Sequence, residues 1–85
     1  MYVIYTLRHT IFGDNKMEIK ILLKEIREEK NITLRKLSEV TGISKSHLSY
    51  IERGEREPTL SVVVRIALAL NIDIKDLYEV KRWFI

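Results

Sequence analysis

TLRKLSEVTGISKSHLSYIERGEREP, running from Thr33 to Pro58, decides the fold of this 85-residue chain. Leu34 and Leu37 supply apolar positions to a first helix that must end where Gly42 can adopt the left-handed conformation other residues avoid. Ser44 restarts the chain, because its hydroxyl can accept a hydrogen bond from an unpaired amide in the first turn of a new helix. Thr33 before the first helix and Thr59 after Pro58 suit the same role. Three caps thus predict three helix starts, with a tight hinge at Thr41-Gly42-Ile43.

At about 100° per residue, Lys45, Ser46, Ser49, Tyr50 and Arg53 fall within one arc of roughly 140° around the second helix. Leu48 and Ile51 lie on the other side. A helix with this pattern packs by its apolar side and leaves the other free. Hydroxyls, a phenol, an ammonium and a guanidinium on a free face either meet water or bond base edges in a major groove wide enough to admit a helix.

Upstream, Ile19, Leu22, Leu23 and Ile26 repeat at i, i+3, i+4 and i+7, which predicts a helix from about Met17 to Lys30. Downstream, Val63, Ile66, Ala67 and Leu70 have the same period, Asn71 is a left-handed stop, and Asp73 is placed to cap a short fifth helix carrying Leu77. Pro58 fixes the turn into the fourth helix. The expected fold class is all-α, a compact five-helix domain.

From Leu22 to Tyr78, about two thirds of the chain, the sequence resembles the XRE family, the Cro and phage-repressor type of helix-turn-helix domain. IREEKNIT, KLSEVTGISKSHLS, YIERGEREPTL and IALALNI match its pattern in order and spacing. The resemblance implies a lambda-repressor-like domain whose second motif helix enters the major groove while the first crosses the backbone. By position it gives base reading to Lys45, Ser46, Ser49 and Tyr50, and phosphate contacts to Thr33, Leu34, Arg35, Arg53 and Arg56. Leu34 replaces the glutamine common in the family, and Arg35 or Lys36 could take over its phosphate contact. The resemblance also pairs Arg27 with Glu52 as a salt bridge tying the first helix to the end of the reading helix. Ser38 stands where the family usually has alanine, and its hydroxyl is expected to fold back onto the carbonyl four residues earlier.

Composition agrees with a small DNA-binding protein. The net charge is only +3, and Lys45, Arg53 and Arg56 are offset by Glu52, Glu55 and Glu57. Bulk electrostatic steering should therefore be weak, so tight binding would need two subunits acting together. The chain has no cysteine, which excludes disulfides and thiolate metal sites and suits a reducing cytoplasm. No apolar run approaches the roughly 18 residues of a membrane span. Residues 1–7 lack the basic start and small-residue cleavage site of a signal peptide. His9 and His47 are too far apart to suggest a shared ligand set, and there is no paired carboxylate, nucleophile elbow or glycine-rich phosphate loop. We expect no enzyme activity and no cofactor.

Three segments follow: an extension at 1–16, the helix-turn-helix domain at 17–79 and a tail at 80–85. Tyr2 to Leu7 is rich in β-branched and aromatic residues and could form a strand or an arm. Alternatively, translation starts at Met17. The tail ends in Trp83, Phe84 and Ile85; such aromatics either form a dimer contact, together with Leu77 of the fifth helix, or fold back on their own domain. The expected partners are double-stranded DNA and a second copy. An antitoxin-type module with a toxin or antirepressor partner, and a restriction-modification controller, are the alternatives.

Overall fold

The computed structural model describes the chain from Lys16 to Trp83, with side chains from Met17 to Lys81. Strand β1 (Lys16–Ile21) leads into helices α1 (Leu23–Glu29), α2 (Leu34–Thr41), α3 (Lys45–Glu52) and α4 (Leu60–Leu70); a 3₁₀ turn (Ile74–Asp76) and strand β2 (Tyr78–Trp83) follow. The fold is therefore helical with a small sheet, not all-α, and has four α-helices among the described residues rather than five.

The two departures have one cause. Lys16-Met-Glu-Ile-Lys-Ile21 alternates charged and apolar residues, so it satisfies a strand period as well as the helical spacing through Ile26. Tyr78-Glu-Val-Lys81 alternates in the same way, and the strand it begins pairs with β1 antiparallel, with Ile19 opposite Val80 and Ile21 opposite Tyr78. On the other face Glu18 stands opposite Lys81 and Lys20 opposite Glu79, each an opposite-charge cross-strand pair. The Leu22 amide donates to the Leu77 carbonyl at 2.7 Å and closes the root of the ribbon. Helix α1 consequently begins only at Leu23, and Leu22 before it supplies no side-chain cap. Asp73 makes no side-chain cap either. Its carbonyl accepts from the Asp76 amide, which gives one 3₁₀ turn before the chain is drawn into β2.

The three hydroxyl caps are present. Thr33 accepts from the Lys36 amide at 3.0 Å, Ser44 from the His47 amide at 3.1 Å and Thr59 from the Val62 amide at 3.3 Å. Gly42 (φ 74°) ends α2 and Asn71 (φ 59°) ends α4, both left-handed. Leu23, Leu37, Leu48, Ile51, Ile66, Leu70 and Leu77 are fully buried and form the centre of one core, to which every helix contributes. Leu77 thus belongs to the interior of its own protomer and is withdrawn as a dimer-interface residue. Ile19, expected in the core, is instead 44% exposed because it lies on the ribbon.

The hinge between α2 and α3 is held by side chains. Thr41 Oγ1 donates to the Leu37 carbonyl at 2.7 Å and accepts from the Ile43 amide at 3.1 Å. Ser38 Oγ donates forward to the Ile43 carbonyl at 2.6 Å, not back to the preceding turn, so it ties α2 to the hinge that precedes α3. Arg65 reaches from α4 to the Thr41 carbonyl at 2.5 Å. A Cβ at Gly42 would sit 3.1 Å from the same guanidinium. We expect Gly42→Ala to lower stability by about 1–2 kcal/mol through the left-handed backbone alone, since the Arg65 tip can move aside. Urea unfolding checks this, and a loss below about 0.5 kcal/mol, within the range of ordinary surface changes, would contradict it.

Candidate nucleic-acid interface

Helix α3 is docked from behind. Leu48 and Ile51 are buried, while Lys45, Ser46 and Tyr50 are exposed and Ser49 is half-buried. The N-caps at Ser44 and Thr33 set the starts of α3 and α2, and the Ser38 and Thr41 bonds fix the angle between them. Leu34, Lys45, Ser46, Ser49, Tyr50 and Arg53 line one shallow concavity of about 390 Å³. All four residues assigned to base reading lie there, together with Leu34 and Arg53 from the phosphate set. Leu34 is half-buried against the core edge. Only its backbone amide, in the first turn of α2, remains to offer an anion.

Thr33 and Arg35 are exposed at the start of α2, where Arg35 Nε lies 3.7 Å from Glu39. At the far end of α3, Arg53 and Arg56 are exposed and belong to one turn. There the Glu55 amide donates to the Tyr50 carbonyl at 2.9 Å and the Gly54 amide to the Ile51 carbonyl at 3.1 Å. With Gly54 at φ 74°, this is a Schellman stop. The guanidinium carbons of Arg53 and Arg56 lie 5.0 Å and 5.4 Å from the centre of the Tyr50 ring, within range of cation–π attraction.

Arg53 is also engaged by a residue that the sequence reading did not select. Its Nε donates to Glu55 at 2.8 Å and its Nη1 donates to Ser49 Oγ at 2.5 Å. Hydrogen bonding from Arg53 holds the Glu55 carboxyl below the usual carboxylate range, and the same bond raises the Arg53 pKa further, so both are ionised at neutral pH. The available signal was Gly54, since a left-handed stop turns the chain back beside the helix it ends.

Arg27 and Glu52 meet as a fork. Nε lies 2.7 Å from Oε2, Nη2 lies 3.4 Å from Oε1, and Nη1 donates to the Ile32 carbonyl at 2.9 Å. The side chains are only 13% and 7% exposed. The pair joins α1 to the end of α3, and neither residue lines the concavity on the polar side of that helix. Of the tail residues assigned to a dimer contact, Trp83 stands opposite Lys16 in β2, while Phe84 and Ile85 lie outside the described residues, as does the possible strand at Tyr2–Leu7.

The helix-turn-helix family model matches residues 23–77. The SPbeta prophage-derived HTH-type transcriptional regulator YopS of Bacillus subtilis is 41% identical over 68 residues, covering 78% of this chain and 92% of YopS. The HTH-type transcriptional regulator SutR of Escherichia coli is 42% identical over 50 residues, or 59% of this chain, but the match spans only 28% of SutR. Among solved structures, the restriction-modification controller protein C.AhdI of Aeromonas hydrophila superposes with a TM-score of 0.63 at 31% identity, covering 65% of this chain and 83% of C.AhdI. The family match takes in all four helices, the hinge between α2 and α3 and the Schellman stop, and the chain belongs to the helix-turn-helix family of transcriptional regulators.

Proposed function

We propose that this protein is a sequence-specific, double-stranded DNA-binding transcriptional regulator, most simply a repressor, acting in the cytoplasm as a homodimer on an inverted repeat. The observation that carries the reading is the outward face of α3: Lys45, Ser46, Ser49, Tyr50 and Arg53 share one open concavity while Leu48 and Ile51 anchor the helix behind. Lys45, Ser46, Ser49 and Tyr50 would meet bases. Thr33, the start of α2 at Leu34 and Arg35, and Arg53 with Arg56 beyond α3 would flank them on phosphates. In a two-fold complex the two reading helices would lie about 34 Å apart, one turn of DNA.

The second copy has a surface to occupy. Ile19, Leu60, Ile74 and Val80, all exposed, line one groove of about 500 Å³ between the ribbon and α4, and Leu68 continues the surface past Ile74. Five side chains at these exposures offer on the order of 500 Å² of apolar surface, at the upper end of what a monomer leaves bare. That is over half of the roughly 800 Å² per partner in a standard interface. On the other face of the ribbon opposite charges stand across from each other in the register, and Lys20 Nζ lies 3.4 Å from the Glu25 carboxylate of α1. The groove therefore favours an apolar partner, and a two-fold contact supplies an identical apolar patch. None of these residues lines the α3 concavity.

Selecting duplexes from a random-sequence pool with the purified protein tests the reading. Lys45→Ala and Tyr50→Ala are expected to cost about 1–3 kcal/mol on the selected site and to relax its sequence. Arg56→Ala should weaken all sequences and reduce the log–log salt slope by about 0.9 per phosphate lost, and Arg53→Ala should weaken the selected site. Equal effects of all four on selected and random duplex would overturn the assignment of roles. The coverage of C.AhdI supports a second reading, a restriction-modification controller. A methyltransferase or endonuclease gene beside this one would separate it from a prophage-type repressor.

A further inference from the structure

Four residues at the end of α3 form one block. The Arg53 guanidinium takes Glu55 through Nε at 2.8 Å and Nη2 at 3.4 Å, takes Ser49 Oγ through Nη1, and lies over the Tyr50 ring. Ser49, Tyr50 and Arg53 all belong to the proposed DNA-contacting set, and the group that closes the block is an anion. A carboxylate so placed opposes a polyanionic ligand, and the Schellman stop at Gly54 is what delivers it there.

A carboxylate and a phosphate are alternative partners for the same guanidinium fork. On random DNA, moving Arg53 from Glu55 to a phosphate exchanges one charge-assisted pair for another and leaves the released carboxylate near the backbone, so Arg53 contributes little. On a matched site, base contacts by Ser49 and Tyr50 can drive the exchange. Until then the block holds both side chains in one arrangement.

We propose that Glu55 is a specificity-determining residue: an internal stand-in for phosphate that withholds Arg53 from random DNA and keeps Ser49 and Tyr50 positioned for reading. The proposal rests on the DNA-binding reading above and adds a residue to it. Glu57, exposed in the same turn, provides the control for simple charge repulsion.

The experiment compares wild type, Glu55→Gln, Glu57→Gln, Arg53→Ala and the Arg53→Ala/Glu55→Gln double variant on two probes, a mixed-sequence duplex pool and the duplex that wild type enriches from it. Thermal melts establish that each variant is folded. Glu55→Gln is expected to tighten binding to the pool by about two- to five-fold, the scale of an exposed ion pair. It should also steepen the salt dependence by about 0.9, one additional phosphate. The enriched duplex should change less, so that discrimination narrows, and the effect should vanish in the Arg53→Ala background. Equal gains from Glu55→Gln and Glu57→Gln, equal gains on both probes, or a gain that persists without Arg53 would each overturn it. Were wild type to enrich no duplex and shift none at low salt, the DNA-binding reading itself would fall, and this proposal with it.

Discussion

Leu60→Glu is expected to abolish the proposed dimer and to weaken binding to a two-half-site duplex by about 10²- to 10⁴-fold, the factor contributed by joining two binding events. Leu60 is 73% exposed, so its substitution opens no cavity. It is also the first residue of α4, where a carboxylate favours the positive end of the helix. The folded monomer should therefore survive, and binding to a single half-site should change little. Leu68→Lys, at a residue 74% exposed in the last turn of the same helix, applies the opposite charge where a cation suits the helix end. Val40→Glu, on an exposed residue that lines neither the ribbon groove nor its extension past Leu68, is the control and should remain dimeric. Sedimentation equilibrium reads the outcome. A wild-type protein that stays monomeric at the concentrations where it binds DNA, or a Leu60→Glu protein that stays dimeric, would exclude this surface.

Glu52→Ala should destabilise the domain by about 3–5 kcal/mol, as removal of one member of a buried pair does, because it leaves the Arg27 guanidinium enclosed without its counter-charge. In a domain this small that corresponds to a fall in Tm of at least about 12 °C, and to much of a typical folding free energy of about 5–15 kcal/mol. The Arg35–Glu39 pair gives the contrast. It is exposed and its atoms are 3.7 Å apart, so Glu39→Ala should cost no more than about 0.5 kcal/mol. Replacing Arg27 and Glu52 together by Met and Leu should recover much of the stability. Because the pair also fixes the end of α3 against α1, the double variant should be stable yet poorer at discriminating DNA sequences. Chemical denaturation of the three proteins checks the first two expectations; a loss under about 1 kcal/mol for Glu52→Ala would show that water reaches the pair.

The helices between Thr33 and Asn71 were legible because their ends are chemically local. Thr33, Ser44 and Thr59 each reach an amide three residues on, and Gly42 and Asn71 adopt a conformation that costs other residues more. The open face of α3 followed from spacing alone, given buried Leu48 and Ile51. Arg27 and Glu52 are 25 residues apart and could be paired only through the family resemblance. Leu77 fits equally well in a core or an interface as an isolated leucine, and its contacts place it in the core.

Residues 16–21 mark the other limit. Their alternation and the wider i, i+3, i+4, i+7 pattern are both real, and no local interaction distinguishes a strand from a first helical turn there. The decision comes from Tyr78–Trp83, some sixty residues away, whose backbone groups complete the ladder. A two-stranded ribbon is marginal without something to rest on, and the hydrogen bond from Leu22 to Leu77 roots this one in the core. Capping and turn chemistry act within four residues and are written in the sequence. Strand pairing and the Arg27–Glu52 fork depend on where the folded chain brings distant segments together, and only the tertiary structure decides them.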